Sequence, residues 1–173
     1  LTPRWDDFSR GDVVVFNPPD GYEQSGVPFI KRVIGVPGET VVLENGVVFI
    51  KPPGGVPVRL DEPYLVTGVD GTPAPTLPRD ALGTIEWIVP DGHVFVMGDN
   101  RPDSQDSRFF GPIERDLIVG RAFVRYFPLD RITLFDSPPY PGLEATVSGD
   151  GSVWACQPRG GSSAMTQVSI ARS

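Results

Sequence analysis

The chain has 173 residues, enough for one domain with a real core, or for a domain plus a tail. Its hydrophobic fraction of 39% suits a globular protein, while a net charge of −7 and the lack of a basic stripe argue against nucleic-acid binding. A single cysteine, Cys156, excludes an internal disulfide, and a single histidine, His93, leaves no zinc-type ligand cluster, so no metal and no cofactor is expected.

Glycine and proline, 20 of each, punctuate short runs of β-branched and aromatic residues. These runs predict strands at Val13–Phe16, Phe29–Ile34, Thr40–Leu43, Val47–Ile50, Ile85–Val89, His93–Met97 and Ala122–Phe127. Asn45-Gly46, between two apolar runs, predicts a two-residue hairpin turn, because both residue types tolerate positive φ. Helix is expected only in short pieces such as Glu114–Ile118. The class is mainly β, built of antiparallel sheets. Residues 51–90, rich in Pro, Gly and Thr, read as a variable excursion of loops and short strands. Residues 1–135 read as one domain, and residues 136–173 as a peripheral or disordered C-terminal tail. No run of about 18 apolar residues is long enough to span a bilayer. The chain opens on Leu1-Thr2-Pro3 and reads as a piece of a longer polypeptide.

Two segments carry chemistry. In Phe29-Ile30-Lys31-Arg32-Val33-Ile34-Gly35 a lysine interrupts an apolar strand. One reading is an edge strand with Lys31 in water. The other is a lysine general base. An ordinary lysine, pKa about 10.4, is neutral at pH 7 in only about one molecule in a few thousand. Making it neutral there takes about 4–5 kcal/mol of differential stabilisation, which desolvation by Ile30, Val33 and Ile34 could supply. A neutral amine can then take the proton of a serine hydroxyl. The second segment, Gly98-Asp99-Asn100-Arg101-Pro102-Asp103-Ser104-Gln105-Asp106-Ser107-Arg108-Phe109-Phe110-Gly111, follows a strand with a dense polar loop. It reads either as a solvated turn or as an ordered polar network that holds something in place.

Arg10-Gly11-Asp12-Val13-Val14-Val15-Phe16, then Lys31-Arg32-Val33-Ile34-Gly35-Val36-Pro37-Gly38-Glu39, then Gly98 to Gly111, resemble in order three boxes of bacterial type I signal peptidases. The resemblance runs from about Arg10 to Arg131. It implies a signal-peptidase-type β fold and a membrane-tethered serine endopeptidase. Such an enzyme cleaves signal peptides of exported preproteins after small residues, at the outer face of the bacterial cytoplasmic membrane. By it, Lys31 is the general base of a Ser–Lys dyad and Ser104 orients its amine. Gly98 permits close packing, and Asp106 pairs with Arg108. Arg32, Asp99, Asn100, Arg101 and Ser107 are supporting positions, and Val15, Phe29 and Ile30 line the substrate cleft. The Asp106–Arg108 pair is expected to matter more for Ser104 than for stability.

The family places its nucleophile in a Ser-Met-x-Pro-Thr-Leu box before the Arg-Gly-Asp segment, just after a membrane anchor. Neither occurs in these residues, so the polypeptide by itself is expected to be inactive. Weaker candidates for a nucleophile are Thr72, in Thr72-Pro73-Ala74-Pro75-Thr76-Leu77, and Ser162-Ser163-Ala164-Met165. Other readings are a Cys156–His93 thiol dyad and an Arg10-Gly11-Asp12 adhesion tripeptide. Two further ones are a non-catalytic peptide-binding member of the same fold and a self-cleaving repressor domain.

Overall fold

The computed structural model describes residues 8–22 and 27–122. Beyond them it describes the short strand segments 124–125, 133–134, 145–147, 153–156 and 165–168, with Tyr140 and Leu143. The chain divides into two compact units, Leu1–Pro138 and Pro139–Ser173.

Two sheets build most of the first unit. One has five strands in the order β8-β7-β2-β1-β9: β1 (Val13–Phe16), β2 (Phe29–Gly35), β7 (His93–Met97), β8 (Ile113–Glu114) and β9 (Ile118–Ala122). The other has four in the order β5-β4-β3-β6: β3 (Thr40–Glu44), β4 (Val47–Lys51), β5 (Val58–Arg59) and β6 (Glu86–Ile88). All pairings within both are antiparallel. A separate pair joins β10 (Val124–Arg125) to β11 (Thr133–Leu134). In the second unit β12 (Ala145–Val147), β13 (Val153–Cys156) and β14 (Met165–Val168) form a three-stranded antiparallel sheet.

Strand alternation explains the core. Val14 and Phe16 of β1, Val33 of β2, Val94 and Val96 of β7, Ile113 and Ile118 are buried together. Phe29 and Phe110 pack at the margin with edge-to-face contacts to Phe16, at centroid distances of 5.8 and 6.3 Å. In the second sheet Val41, Leu43, Val48 and Ile50 alternate inward. Trp87 of β6 packs on Phe95 of β7 at 5.1 Å, a contact from one sheet to the other.

The Asn45-Gly46 turn has positive φ at both residues, 50° and 79°, as a type I′ hairpin requires. Residues 51–90 contribute β5, β6 and the buried side chains of Leu60 and Val89 to the second sheet. Two expectations need correction. Glu114–Ile118 is not a helix, because Glu114 pairs with His93 and Ile118 with Phe16, leaving only a 3₁₀ turn at Arg115–Leu117 between strands. The polar loop instead holds a one-turn helix, α1 (Ser107–Phe110), capped by the Asp106 carboxylate, which accepts the Arg108 N–H at 3.2 Å. The strand expected over Ala122–Phe127 begins earlier, at Ile118, and resumes at Val124; residues 126 and 127 lie outside the described residues.

A Cβ on Gly46 would lie 2.8 Å from Pro75 Cβ as well as at positive φ, whereas one on Gly71, φ 78°, would meet nothing within 4 Å. Gly46→Ala is therefore expected to cost about 2–3 kcal/mol and Gly71→Ala about 1 kcal/mol, measured by urea denaturation. Equal losses would mean that packing against Pro75 contributes nothing.

Candidate active site

The register of the five-stranded sheet puts Lys31 on the core face. Val14 lies opposite Lys31, and Phe16 opposite Phe29, so Lys31 continues the row that includes Phe29 and Val33. On the other side of β2, Arg32 pairs with Met97 and Val33 with Val96, after which β7 gives way to Gly98. The N-terminal residues of β2, Phe29 to Lys31, thus pair with β1 on one side and lie past the end of β7 on the other. Val15 and Ile30 oppose each other on the sheet's other face; Ile30 is exposed, and Val15 and Phe29 are half-buried. A cleft of about 180 Å³ opens here, lined by Val13, Ile30, Lys31, Arg32, Gly98 and Asp99.

Gly98 makes room for this geometry. A Cβ there would fall 2.2 Å from Ser104 Oγ, 2.6 Å from Ser104 Cβ and 3.7 Å from Lys31 Cδ. Lys31 and Ser104, far apart in sequence, therefore flank the same bare stretch of backbone. Ser104 is buried and its Oγ makes no hydrogen bond of ordinary geometry, although it is near enough to Asp106 to help hold that carboxyl low. A direct Lys31–Ser104 hydrogen bond is therefore not formed. The Lys31 ammonium nitrogen lies 5.3 Å from the Phe29 ring centroid.

The polar loop is an ordered network. Asp106 and Arg108 are fully buried and pair at two points, Nε to Oδ1 at 2.9 Å and Nη2 to Oδ2 at 2.8 Å. Asp106 Oδ2 also accepts the Gly98 N–H at 3.0 Å, which ties the loop to the glycine. Arg108 donates onward to the carbonyls of Arg101 and Leu77 at 2.8 and 3.2 Å. Ser107 Oγ accepts the Val96 N–H at 2.9 Å, locking α1 to β7. Arg32 grips Asp99 through two hydrogen bonds of 2.9 and 2.8 Å, and donates to the Gly11 carbonyl at 2.7 Å. Asn100 reaches only Asp103, at 3.3 Å on the surface.

Burial pulls the Lys31 amine below its ordinary value, against the opposing pull of the Asp106 and Asp99 carboxylates. For Asp106, burial favours the neutral acid, but the Arg108 hydrogen bonds and charge, the Gly98 N–H and Ser104 outweigh it and hold the carboxyl low. The linkage signs differ. Between the folded Lys31 midpoint and the ordinary 10.5, the unfolded chain holds the extra proton, so stability rises with pH across that window. Asp106 contributes stability above the ordinary carboxylate range, and it is lost as pH falls through the lowered value.

The Asp106–Arg108 pair is buried on both sides, so its loss bears on stability as well as on Ser104. Removing one partner strands a buried arginine.

None of the other described sequence candidates lines this cleft. Thr72 is exposed and donates its hydroxyl to Asp70 at 2.7 Å. Thr76 is buried, with its hydroxyl held by Arg101 at 2.6 Å. Arg10 and Asp12 are buried, Arg10 against Glu39, so the tripeptide is no exposed tip. His93 is half-buried, with its ring bonded to the Asp91 carbonyl. The Cys156 side chain and residues 162–164 lie outside the described residues. Among the described residues no group of three or more His, Cys, Asp or Glu side chains could hold a metal. Sequence reasoning missed Glu62 and Tyr64, which reach Arg101 and Arg32 from the excursion.

The comparisons with known proteins cover the part of the chain that carries these residues. The family profile described as signal peptidase, peptidase S26, matches residues 1–127. The chain belongs to the type I signal peptidase family. Two relatives come from Synechocystis sp. (strain ATCC 27184 / PCC 6803 / Kazusa). The probable signal peptidase I-2 is 38% identical over 136 residues, 78% of this chain and 55% of that protein. The probable signal peptidase I-1 is 42% identical over 126 residues, 70% of this chain and 56% of that protein. A crystal structure of a signal peptidase I from Enterococcus faecalis V583 is 33% identical, with a TM-score of 0.49, covering 67% of this chain and 97% of that one. The chain thus spans little more than half the length of its Synechocystis relatives. Among the described residues no helix is long and apolar enough to cross a membrane.

Two outcomes follow from these electrostatics. Asp99→Asn removes a charge that favours the ammonium, so the Lys31 midpoint, read by NMR of the side chain, is expected to fall further. An unchanged or higher midpoint would refute the account of what sets it. Asp106→Asn is expected to cost about 3–5 kcal/mol in a denaturation experiment; a loss under about 1 kcal/mol would mean that the pair is solvated.

Proposed function

We propose that these residues form the base-bearing part of a serine endopeptidase that removes signal peptides from exported preproteins at the outer face of the bacterial cytoplasmic membrane. Lys31 is the general base. The nucleophile is a serine in a Ser-Met-x-Pro-Thr-Leu box, which the parent polypeptide supplies ahead of Arg10. The observation that carries the reading is Lys31 itself. Its amine is half-buried beside a bare glycine, and burial pushes it toward the neutral form a base needs.

The chemistry balances with these groups. The neutral amine takes the serine proton as the serine oxygen attacks the scissile carbonyl carbon. The resulting ammonium then returns a proton to the departing amine as the peptide bond breaks, leaving an acyl-enzyme. The regenerated amine activates the water that hydrolyses the ester. Ser104, buried and without an ordinary hydrogen bond, is poised to accept one amine N–H and so direct the lone pair toward the nucleophile. An extended substrate pairs with the edge of β2 beyond the end of β7, beside Val15, Phe29 and Ile30, and the small cleft selects small side chains near the cut.

The test compares two polypeptides on a signal-peptide substrate carrying Ala-x-Ala. The 173 residues alone are expected to be inactive, and extension through the serine box is expected to confer cleavage. In the extended form Lys31→Met should lower kcat/KM by about 10³-fold or more. The rising limb of its pH profile should lie below the range of an ordinary lysine, because the folded amine loses its proton at lower pH. Lys31-dependent cleavage by the short polypeptide would refute the assignment of the nucleophile. Peptide binding without cleavage by the extended one would favour a non-catalytic peptide-binding protein.

A further inference from the structure

Arg101 is almost fully buried, yet its main partner comes from the excursion. Both terminal nitrogens of its guanidinium bond the Glu62 carboxylate, Nη1 to Oε2 at 3.1 Å and Nη2 to Oε1, and the Glu62 side chain is itself buried. The same guanidinium donates through Nε to the Gly98 carbonyl at 3.1 Å, and through Nη1 to Thr76. Two residues on, the Tyr64 hydroxyl donates to Glu62 Oε1 at 3.1 Å, and the Tyr64 ring lies 4.0 Å beneath the Arg32 guanidinium carbon. Then the Val66 N–H donates to the Asp99 carbonyl at 3.2 Å. One stretch of five residues thus grips Arg101, Arg32 and Asp99, and through Arg101 the backbone of Gly98.

We propose that Glu62 and Tyr64 are positioning residues for the Lys31 site: the Glu62–Val66 segment fixes the two arginines that set the Gly98–Asp99 backbone against Lys31. The function assigned to that position rests on the reading above, but the positioning does not. The hydrogen bonds and ion pair of Glu62 go to Arg101 and Tyr64, not to Lys31 or Ser104. The charged groups that act on the amine are Asp106 and Asp99, with Arg32 beside it in the cleft. An effect of Glu62 on Lys31 must therefore travel through the loop.

The buried Arg10–Glu39 pair provides the comparison. It is as enclosed as Arg101–Glu62, but its contacts are with the Ile34 carbonyl and the Val36 N–H rather than Gly98. Both Glu62→Gln and Glu39→Gln are expected to lower stability, as any stranded buried arginine does. Only Glu62→Gln should change the Lys31 protonation constant, by about threefold or more, and raise the hydrogen-exchange rate of the Gly98 amide by about tenfold relative to Glu39→Gln. Glu62→Asp should restore part of both. Tyr64→Leu keeps the buried ion pair and serves if Glu62→Gln does not fold; it should move both readouts in the same sense. Lys31 and Gly98 behaving alike in Tyr64→Leu and Glu39→Gln would overturn the proposal. If Lys31 titrated as an ordinary lysine in the unmodified chain, the general-base reading would fail, while Gly98 exchange would still decide the positioning.

Discussion

Close approach of the backbone at Gly98 is the constraint on which the rest of the site depends. Ser104, from the loop after β7, needs the volume that any Cβ at this position would take, and Lys31 from β2 lies at ordinary contact distance beside it. A glycine solves the steric problem but leaves a flexible link in the chain, since it is the residue with most backbone freedom to lose. The neighbouring structure compensates by holding both polar groups of its peptide: Asp106 accepts the N–H and Arg101 donates to the carbonyl. The glycine gives the space, and the ion pairs give the rigidity.

This arrangement explains why so many charges are buried in one small region. Arg10, Arg32, Arg101 and Arg108 each pair with a carboxylate, and each also donates to a backbone carbonyl. Burying such pairs gains little net stability over well-packed apolar side chains. Their planar, two-point geometry does something apolar packing does not: it specifies where a loop lies to within a fraction of an ångström. A lysine lowered by desolvation needs that accuracy, because a small displacement toward water would restore its hydration and its charge.

How much of this was legible from the sequence follows from the range of each interaction. The Asn45-Gly46 hairpin was plain because two adjacent residues carry the whole signal. Lys31 stood out because an ammonium in an apolar strand demands a reason, and the Asp106–Arg108 pair because its members are two positions apart. Helix α1 was hidden in a run of polar residues, since one helical turn has no periodicity to read; only its Asp106 cap marks it. The Arg115–Leu117 turn misled because acidic and basic residues with an intervening leucine suit a helix, while strand pairing at both ends decided otherwise. Glu62 and Arg101 lie 39 positions apart, and nothing in either local sequence names the other. Reading residues 51–90 as variable loops concealed the very segment that braces the site.

Within that excursion, the bridge between Thr67 and Pro73 closes a small loop, reinforced by the Gly68 N–H to the Thr72 carbonyl at 2.8 Å. Its tip at Val69 and Asp70 is fully exposed, and it begins directly after the last residue of the brace, Val66. Ends already pinned together make chain length between them cheap: each doubling of a flexible loop costs only about 0.6 kcal/mol in closure entropy. The tip is thus a port where a peptide tag, a fluorophore or a small inserted domain can be carried without disturbing the strands on either side.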